Sequence, residues 1–301
     1  MPNLLDIRRR IRSVRNTQQI TQALKMVSAA KLRRAQEQAL AARPYAQQLH
    51  ALMAGLAAYL DPQELADAQL AGEDWNLGSL LAQREVRTRL VIVITTDSGM
   101  VGAFNANIFK AMAALGTPAG GEARYLAVGR KGRDALKRHG APLAGEHIGL
   151  FAHAIHYDAA RTIAAQAMRA FATGAVDEVV TVGNEFKSVL QQVVTRHRLL
   201  PFALPQAAEK SGEGAGRDYI FESAPGQLIA ALLPRAIETQ IYRSLLESLA
   251  SEHAARMNAM EAATGNAGDL IDSLTLHMNR VRQAAITKEI IEVVSGASAL
   301  G

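Results

Sequence analysis

The residues best suited to phosphate chemistry lie in two glycine-containing turns, each directly after a candidate strand. The first turn runs from Thr96 to Gly102 as T-D-S-G-M-V-G, and the second spans Gly129 to Gly132 with two basic residues inside it. In α/β proteins, turns at these places hold phosphate groups through backbone N–H groups. Neither turn matches G-x-G-x-x-G or G-x-x-x-x-G-K-[ST]. We therefore interpret both as tight turns and predict no cofactor-binding residue.

Metal binding and covalent catalysis have little support elsewhere in the chain. His153 and His156 are three residues apart without a third ligand at a suitable spacing, and Glu252-His253 lacks the second histidine of H-E-x-x-H. There is no cysteine, which excludes disulfides and thiolate chemistry, and no G-x-S-x-G turn for a serine nucleophile. We predict neither catalytic residues nor a metal site.

Positive charge is concentrated at the start of the chain. Residues 1–36 hold nine Lys or Arg and one acid, a net charge of +8, and the other residues together carry −3. Such a segment attracts nucleic acid, an anionic membrane surface or an acidic protein. The first 40 residues contain no aromatic side chain to stack on bases or to anchor in a bilayer interface, which favours the acidic protein. A nucleic-acid-binding coiled coil and a Rossmann-like nucleotide-binding enzyme stay open as alternatives.

Long helices are predicted at both ends of the chain. From about Leu4 to Tyr59, apolar residues recur at spacings of three and four, with one step of six from Val14 to Ile20. From Arg235 to Ser295 there is no proline, and a second apolar stripe has the same period. Helices of about 55 and 60 residues would be about 80 and 90 Å long, too long for a compact domain. We predict that they pair as an antiparallel two-helix coiled coil. The predicted packing residues of the first helix are Ile20, Leu24 and Val27.

The middle of the chain alternates between strand-like and helical segments. This alternation predicts an open, mainly parallel α/β sheet, that is, a Rossmann-like domain. Strands are expected at 89–95, 125–129, 176–186 and 189–200, and helices at 107–115, 130–139 and 158–173. The predicted domains are an N-terminal helix at 1–60, a central α/β domain at 61–225 with a flexible loop at 206–217, and a C-terminal helix at 226–301.

Motifs at both ends of the chain identify a family. Residues 11–21 read I-R-S-V-R-N-T-Q-Q-I-T and are followed by K-M-V-S-A-A-K at 25–31; residues 251–257 read S-E-H-A-A-R-M, and residues 282–289 read R-Q-A-A-I-T-K-E. These motifs closely resemble the signatures of the gamma subunit of F-type ATP synthases, and their order and spacing match over essentially the whole chain. The turn at 96–105 departs from the family's S-D-R-G-L-C-G-G-F-N, and Gly265 replaces the usual Asp, so the chain resembles a somewhat divergent bacterial member.

The resemblance implies that the paired helices are a rotor shaft inside a ring of three alpha and three beta subunits. The α/β domain would be the foot of this central stalk, on the membrane ring of c subunits beside the epsilon subunit. The chain would have no catalytic site of its own and would couple ion flow through the c ring to ATP synthesis or hydrolysis on the beta subunits. It would be a peripheral membrane protein at the cytoplasmic face of the bacterial inner membrane, and no apolar run approaches the roughly 20 residues needed to span a bilayer.

The resemblance also implies contacts for three sets of residues. Contacts to a beta subunit are expected from Arg282, Gln283, Thr287, Lys25, Lys31, Arg33 and Arg34. An apolar tip in a collar of the surrounding subunits is expected from Ile290, Ile291, Val293 and Val294. Contacts to the c ring or epsilon are expected from Asp218, Tyr219 and Phe221.

Overall fold

The computed structural model describes residues 4–57, 59, 77–118, 120–151, 155–204 and 223–298. The chain divides into two compact units, one formed by Met1–Ala30 with Arg256–Gly301 and the other by Lys31–Ala255. The predicted loop at 206–217 lies outside the described residues, as do residues 60–76 and Asp218, Tyr219 and Phe221.

Helices and strands alternate between two long terminal helices, as the sequence predicts. The helices are α1 (Leu4–Ala57), α2 (Leu77–Leu81), α3 (Phe104–Leu115), α4 (Arg130–Arg138), α5 (Tyr157–Ala172) and α6 (Pro225–Ser298). The strands are β1 (Thr88–Ile94), β2 (Glu122–Val128), β3 (Leu143–His147), β4 (Glu178–Phe186) and β5 (Gln192–Leu200).

The C-terminal helix starts one residue before the predicted boundary at 226, and therefore includes ten residues that precede the proline-free segment. It begins at Pro225, a residue suited to the first turn because its missing N–H would have no helical partner there. Pro234 lies inside the helix, although an interior proline costs about 3 kcal/mol. Around it, Ile229, Leu233 and Ile237 are completely buried. Burying each such side chain contributes about 1.5–3 kcal/mol, which offsets the cost of the proline.

The strands of the described residues form one sheet in the order β3-β2-β1-β4-β5. Strand β1 pairs in parallel with β2 and β4, β2 pairs in parallel with β3, and only β5 runs antiparallel, beside β4. Central strand β1 is buried on both faces, as its run of Leu, Val and Ile predicts. The predicted fold is confirmed. Strand β3 was missing from the prediction because its L-A-G-E-H sequence has no β-branched residue.

Helices α5 and α6 meet through two tyrosines. The rings of Tyr157 and Tyr242 lie edge to face with centroids 5.4 Å apart, and the Tyr157 hydroxyl donates to Glu238 Oε2 at 2.9 Å. Burial raises the pKa of Tyr157 to about 12, and the Glu238 carboxylate adds to the rise. The folded chain therefore keeps this phenol protonated at pH values where an unfolded chain ionises it.

This pKa shift predicts a loss of stability at alkaline pH. Below pH 10 both states are protonated and stability does not depend on Tyr157; as pH rises from 10 toward 12, ionisation favours the unfolded chain. Tyr157→Phe should therefore flatten the fall in the free energy of unfolding across this range, measured by urea denaturation at successive pH values. An equally steep fall in the variant would contradict this account.

Candidate functional surfaces on the helix pair and the sheet edge

The first compact unit is an antiparallel pair formed by the beginning of α1 and the second part of α6. The hydroxyl oxygens of Thr21 and Thr264 are 2.7 Å apart, and Lys25 Nζ lies 2.8 Å from Glu261 Oε1. Gln18 Nε2 reaches the backbone of α6 at Thr264 O, at 3.5 Å. As the residue number in α1 increases, the number of the residue that it contacts in α6 decreases, so the helices run in opposite directions. The predicted antiparallel pairing is present in this unit.

The seam of α1 follows strict alternating steps of four and three residues. It runs through residues that are buried or half-buried, namely Ile7, Ile11, Val14, Gln18, Thr21, Lys25 and Ser28. On α6 the same spacing runs through Met260, Thr264, Ala267, Ile271, Leu274, Met278 and Val281. A repeat of seven residues is the period of a left-handed coiled coil.

This seam corrects the predicted packing residues. Ile20 and Val27 are 60% and 53% exposed, and only Leu24 is half-buried. The prediction followed the apolar residues across a step of six, whereas the seam keeps its period by accepting polar residues. Those residues are satisfied locally: Ser28 Oγ donates to the Leu24 carbonyl at 2.7 Å, and the two threonine hydroxyls bond across the seam. A polar pair at a seam position fixes register at some cost in stability.

The outer surface of this helix pair combines cations with uncovered apolar side chains. Arg8, Arg9, Arg10, Arg12 and Arg15 are all exposed, and Met26 joins Ile20 and Val27 on the outside, at 62% exposure. More than half of the large exposed apolar side chains among the described residues belong to this unit. Isolated exposed apolar residues are ordinary, but a concentration of them marks a surface that another molecule covers.

The end of α6 carries the predicted beta-contact and tip residues, all on its surface. Arg282, Gln283 and Thr287 are exposed, and Arg282 makes no ion pair with any described residue of the chain. The Thr287 hydroxyl donates to the Gln283 carbonyl at 2.9 Å. Beyond them the four tip residues are 57–71% exposed: Ile290, Ile291, Val293 and Val294.

The other cations predicted to contact a beta subunit differ in whether they already form an ion pair within the chain. Lys25 is already paired with Glu261 across the seam, and its side chain is 31% exposed. In the second unit, Lys31 and Arg34 are exposed, and Arg33 pairs with Glu37 at 3.2 Å one helical turn away. Lys25 is thus engaged in holding the helix pair together, a role that the sequence did not predict.

At the carboxyl edge of the sheet, the N–H groups that could bind a phosphate already donate hydrogen bonds to other groups of the chain. The first N–H groups of α4 belong to Arg130, Lys131 and Gly132. They donate to Asp97 Oδ1 at 3.0 Å, the Thr96 carbonyl at 3.0 Å and Thr95 Oγ1 at 2.8 Å. Gly129 has a φ of +94°, and a Cβ there would lie 2.2 Å from the Thr95 carbonyl oxygen. The helix start where a phosphate would bind is therefore filled by residues 95–97, directly after β1.

Asp97 also holds the loop after β3. Its Oδ1 accepts from Gly149 N at 3.0 Å and its Oδ2 accepts from Phe151 N at 3.3 Å. One carboxylate thus connects the segments that follow β1, β2 and β3. The sequence shows an aspartate just after a buried strand, but this position alone does not indicate which N–H groups the carboxylate accepts.

The candidate histidines form no metal centre in the part of the chain that the structure describes, where no group of three or more His, Asp or Glu could hold an ion. His153 lies outside the described residues, and His253 is buried within α6. Within the same residues, no helix is both long enough and apolar enough to cross a membrane.

Comparison with known proteins places this architecture in a family. Residues 3–300 match the family model described as ATP synthase. The ATP synthase gamma chain of Solibacter usitatus (strain Ellin6076) is 51% identical over 300 residues, which are 99% of each chain. The chain belongs to the ATP synthase gamma-chain family. The gamma chain of Chlorobium phaeobacteroides (strain BS1) is 44% identical over 100% of this chain and 99% of its own length.

Solved structures of ATP synthases contain chains with the same fold. The rotor of the Euglena gracilis mitochondrial ATP synthase matches with a TM-score of 0.62 and 18% identity, over 94% of this chain and 98% of the other. The central stalk and c ring of the Tetrahymena thermophila mitochondrial enzyme contain a chain that matches with a TM-score of 0.57 and 23% identity, over 81% and 99%. The predicted identification as a gamma subunit of an ATP synthase is confirmed.

Proposed function

We propose that this chain is the rotor of the central stalk, turning within a ring of alpha and beta subunits and joined to a ring of c subunits. The observation that carries this proposal is the surface of the helix pair, which is both basic and apolar. The exposed arginines at its start suit acidic segments of neighbouring subunits. Ile20, Met26 and Val27 are exposed apolar side chains that contact with those subunits would bury. Rotation of this asymmetric surface would favour a different conformation of each beta subunit in turn.

The residues at the end of α6 are proposed to transmit the torque. Arg282 is exposed and has no ion-pair partner among the described residues, so its guanidinium can bind a carboxylate of a beta subunit in bidentate fashion. Gln283 and Thr287 lie one turn apart and can add neutral hydrogen bonds. The four exposed tip residues are proposed to turn against an apolar collar, and Lys31, Arg33 and Arg34 to contribute weaker, solvent-screened pairs.

The foot is proposed to contact the c ring and epsilon through Asp218, Tyr219 and Phe221, on the strength of the family resemblance. The chain is proposed to have no catalytic site of its own. The filled start of α4 supports this, because Asp97 occupies the place where a phosphate would bind. We place the protein at the cytoplasmic face of the bacterial inner membrane, as a peripheral part of the complex.

Co-purification tests the assembly directly. A tagged form of this chain, expressed with its own alpha and beta subunits, should yield a complex with one copy of this chain per three copies of each. Equimolar amounts of the three subunits, or recovery of this chain alone, would overturn the proposal. The competing nucleic-acid hypothesis predicts instead that the tagged chain retains DNA, with an affinity that falls steeply as salt rises.

A disulfide across the seam tests whether the helix pair turns as one body. The chain has no cysteine, so Thr21→Cys with Thr264→Cys introduces the only thiols of this subunit, at side chains whose oxygens are 2.7 Å apart. Oxidation should cross-link the pair nearly completely. Hydrolysis of ATP by the assembled complex should change less than about twofold, because the new bond joins two helices of the same rotor.

The matched control is Gln22→Cys with Ala262→Cys, two exposed neighbours of the same helices. This pair should cross-link far less, because these side chains lie off the seam. Equal cross-linking of both pairs would contradict the register, and a blocked ATPase in the seam variant would show that the two helices must move against each other.

A further inference from the structure

The second compact unit contains a cleft that neither the family comparison nor the rotor proposal uses. It has a volume of about 910 Å³ and lies among α1, α5 and the first part of α6. Binding sites for small molecules span about 300–1,000 Å³. The apolar part of its wall is made largely of small residues, including Ala165 and Ala230, together with the buried side chain of Met168.

The polar groups in the wall of the cleft include Thr239, which is 6% exposed. Its hydroxyl interacts with that of Tyr157 within the lining. Pro234 also lines the cleft and has no N–H to donate to the carbonyl of Ala230, one turn earlier on the same wall.

Three tyrosines give the cleft an aromatic character. Tyr157 and Tyr242 stand edge to face, with an angle of 70° between their ring planes, and Tyr45 of α1 lines the same cleft. Aromatic rings prefer offset or edge-to-face contacts with another ring at centroid distances of about 4.5–7 Å. A planar ring that enters the cleft would therefore find such partners.

The charges around the cleft favour an anion. Arg161 and Arg235 line it and are exposed. Arg235 makes no ion pair with a described residue, while Arg161 has only a long contact of 3.9 Å with the exposed Asp158. The one carboxylate of the lining, on Glu238, already accepts the Tyr157 hydroxyl. Two guanidinium groups thus remain available for a carboxylate, sulfonate or phosphate group.

We propose that this cleft binds a small planar aromatic molecule that carries one anionic group. The aromatic part lies against the tyrosines, and the anionic group contacts Arg235 and Arg161. The site lies wholly within the second unit and does not depend on the rotor function.

The test uses anilinonaphthalene sulfonate, a fluorescent aromatic anion, with the full-length chain. Titration should show one saturable site per chain. Arg235→Gln should weaken binding about tenfold, the effect of losing one charge-assisted contact. Ala165→Trp should abolish binding, because an indole on this exposed position fills the cleft. Arg138→Gln, which removes an exposed arginine from α4, is the matched control and should leave the affinity unchanged.

Competition and assembly complete the experiment. Naphthalene sulfonate should displace the probe at least about tenfold more effectively than octane sulfonate, which has the same charge without the ring. Binding that survives Ala165→Trp, or that does not distinguish Arg235→Gln from Arg138→Gln, would overturn the site. The assembled ATP synthase should bind the probe with the same dependence on Arg235. Loss of binding upon assembly would mean that another subunit fills the cleft, and would overturn the proposal of a small-molecule site.

Discussion

Asp97→Ala is expected to lower the free energy of unfolding of the α/β domain by about 3 kcal/mol or more. The carboxylate accepts three backbone N–H groups, from Arg130, Gly149 and Phe151. A hydrogen bond to a charged group contributes about 1.5–3 kcal/mol, and partial access of water reduces the total. The effect can be measured by urea unfolding of the purified chain and by hydrogen exchange of the β1 and β2 amides.

Two further variants make the Asp97 result specific. Asp97→Asn keeps one acceptor oxygen but turns an NH₂ donor toward an N–H group. The free energy of unfolding of this variant should therefore lie between those of the wild type and Asp97→Ala. Asp158→Ala removes a carboxylate that is 84% exposed and has only a long ion pair, and should cost less than about 0.5 kcal/mol. If the Asp97 and Asp158 variants lost equal stability, Asp97 would not hold the loops together.

The second large effect is expected at the end of α6. Arg282→Ala combined with Gln283→Ala should lower ATP hydrolysis by the assembled complex about tenfold or more, equivalent to about 1.4 kcal/mol. The reason is that Arg282 has no ion-pair partner among the described residues, so its guanidinium is free to bind a beta subunit. Assembly should also decline, as measured by the yield of complex after affinity purification.

The comparison for this result is Lys31→Ala with Arg33→Ala. Both side chains are exposed, and Arg33 already has Glu37 as a partner within its own helix. Screened pairs of this kind contribute about 0–1 kcal/mol, so the loss of hydrolysis should stay within about threefold. Similar losses in the two double variants would show that the contacts to the beta subunits are distributed along the helices.

The fold could be predicted from the sequence because its strongest signals are long and periodic. The buried β1 strand and the two terminal helices each carry a pattern over many residues, and tertiary contacts reinforce that pattern. Strand β3 has no such pattern, since its five residues gain strand geometry mainly by pairing with β2. The predicted boundary at residue 226 lies one residue from the observed start of α6 at Pro225, and the burial of neighbouring side chains accommodates Pro234 inside the helix.

The functional surfaces were predictable only in part, because several seam residues of the helix pair are polar and an apolar pattern does not select them. Apolar spacing favours Ile20 and Val27, whereas the helices pair through Gln18 and Thr21, whose hydrogen bonds depend on the partner helix. The role of Asp97 depends on three segments that are distant in sequence. No local pattern indicates that their N–H groups converge on one carboxylate.

The register of the helix pair has a consequence for the end of α6. Extended from the Thr21–Thr264 contact, it places Leu4 opposite Val281, so residues 282–298 continue past the described part of α1. This segment is only slightly longer than the about 12–15 residues below which an isolated helix is marginal in water, and its Ile and Val residues are weak helix formers. The part of α6 that pairs with α1 supplies the nucleus from which the terminal turns propagate. The helix content of the terminal turns should therefore decrease with distance from that part. We therefore expect the terminal turns of α6 to exchange between helix and coil outside a complex, and contacts with partner subunits to increase their helix content.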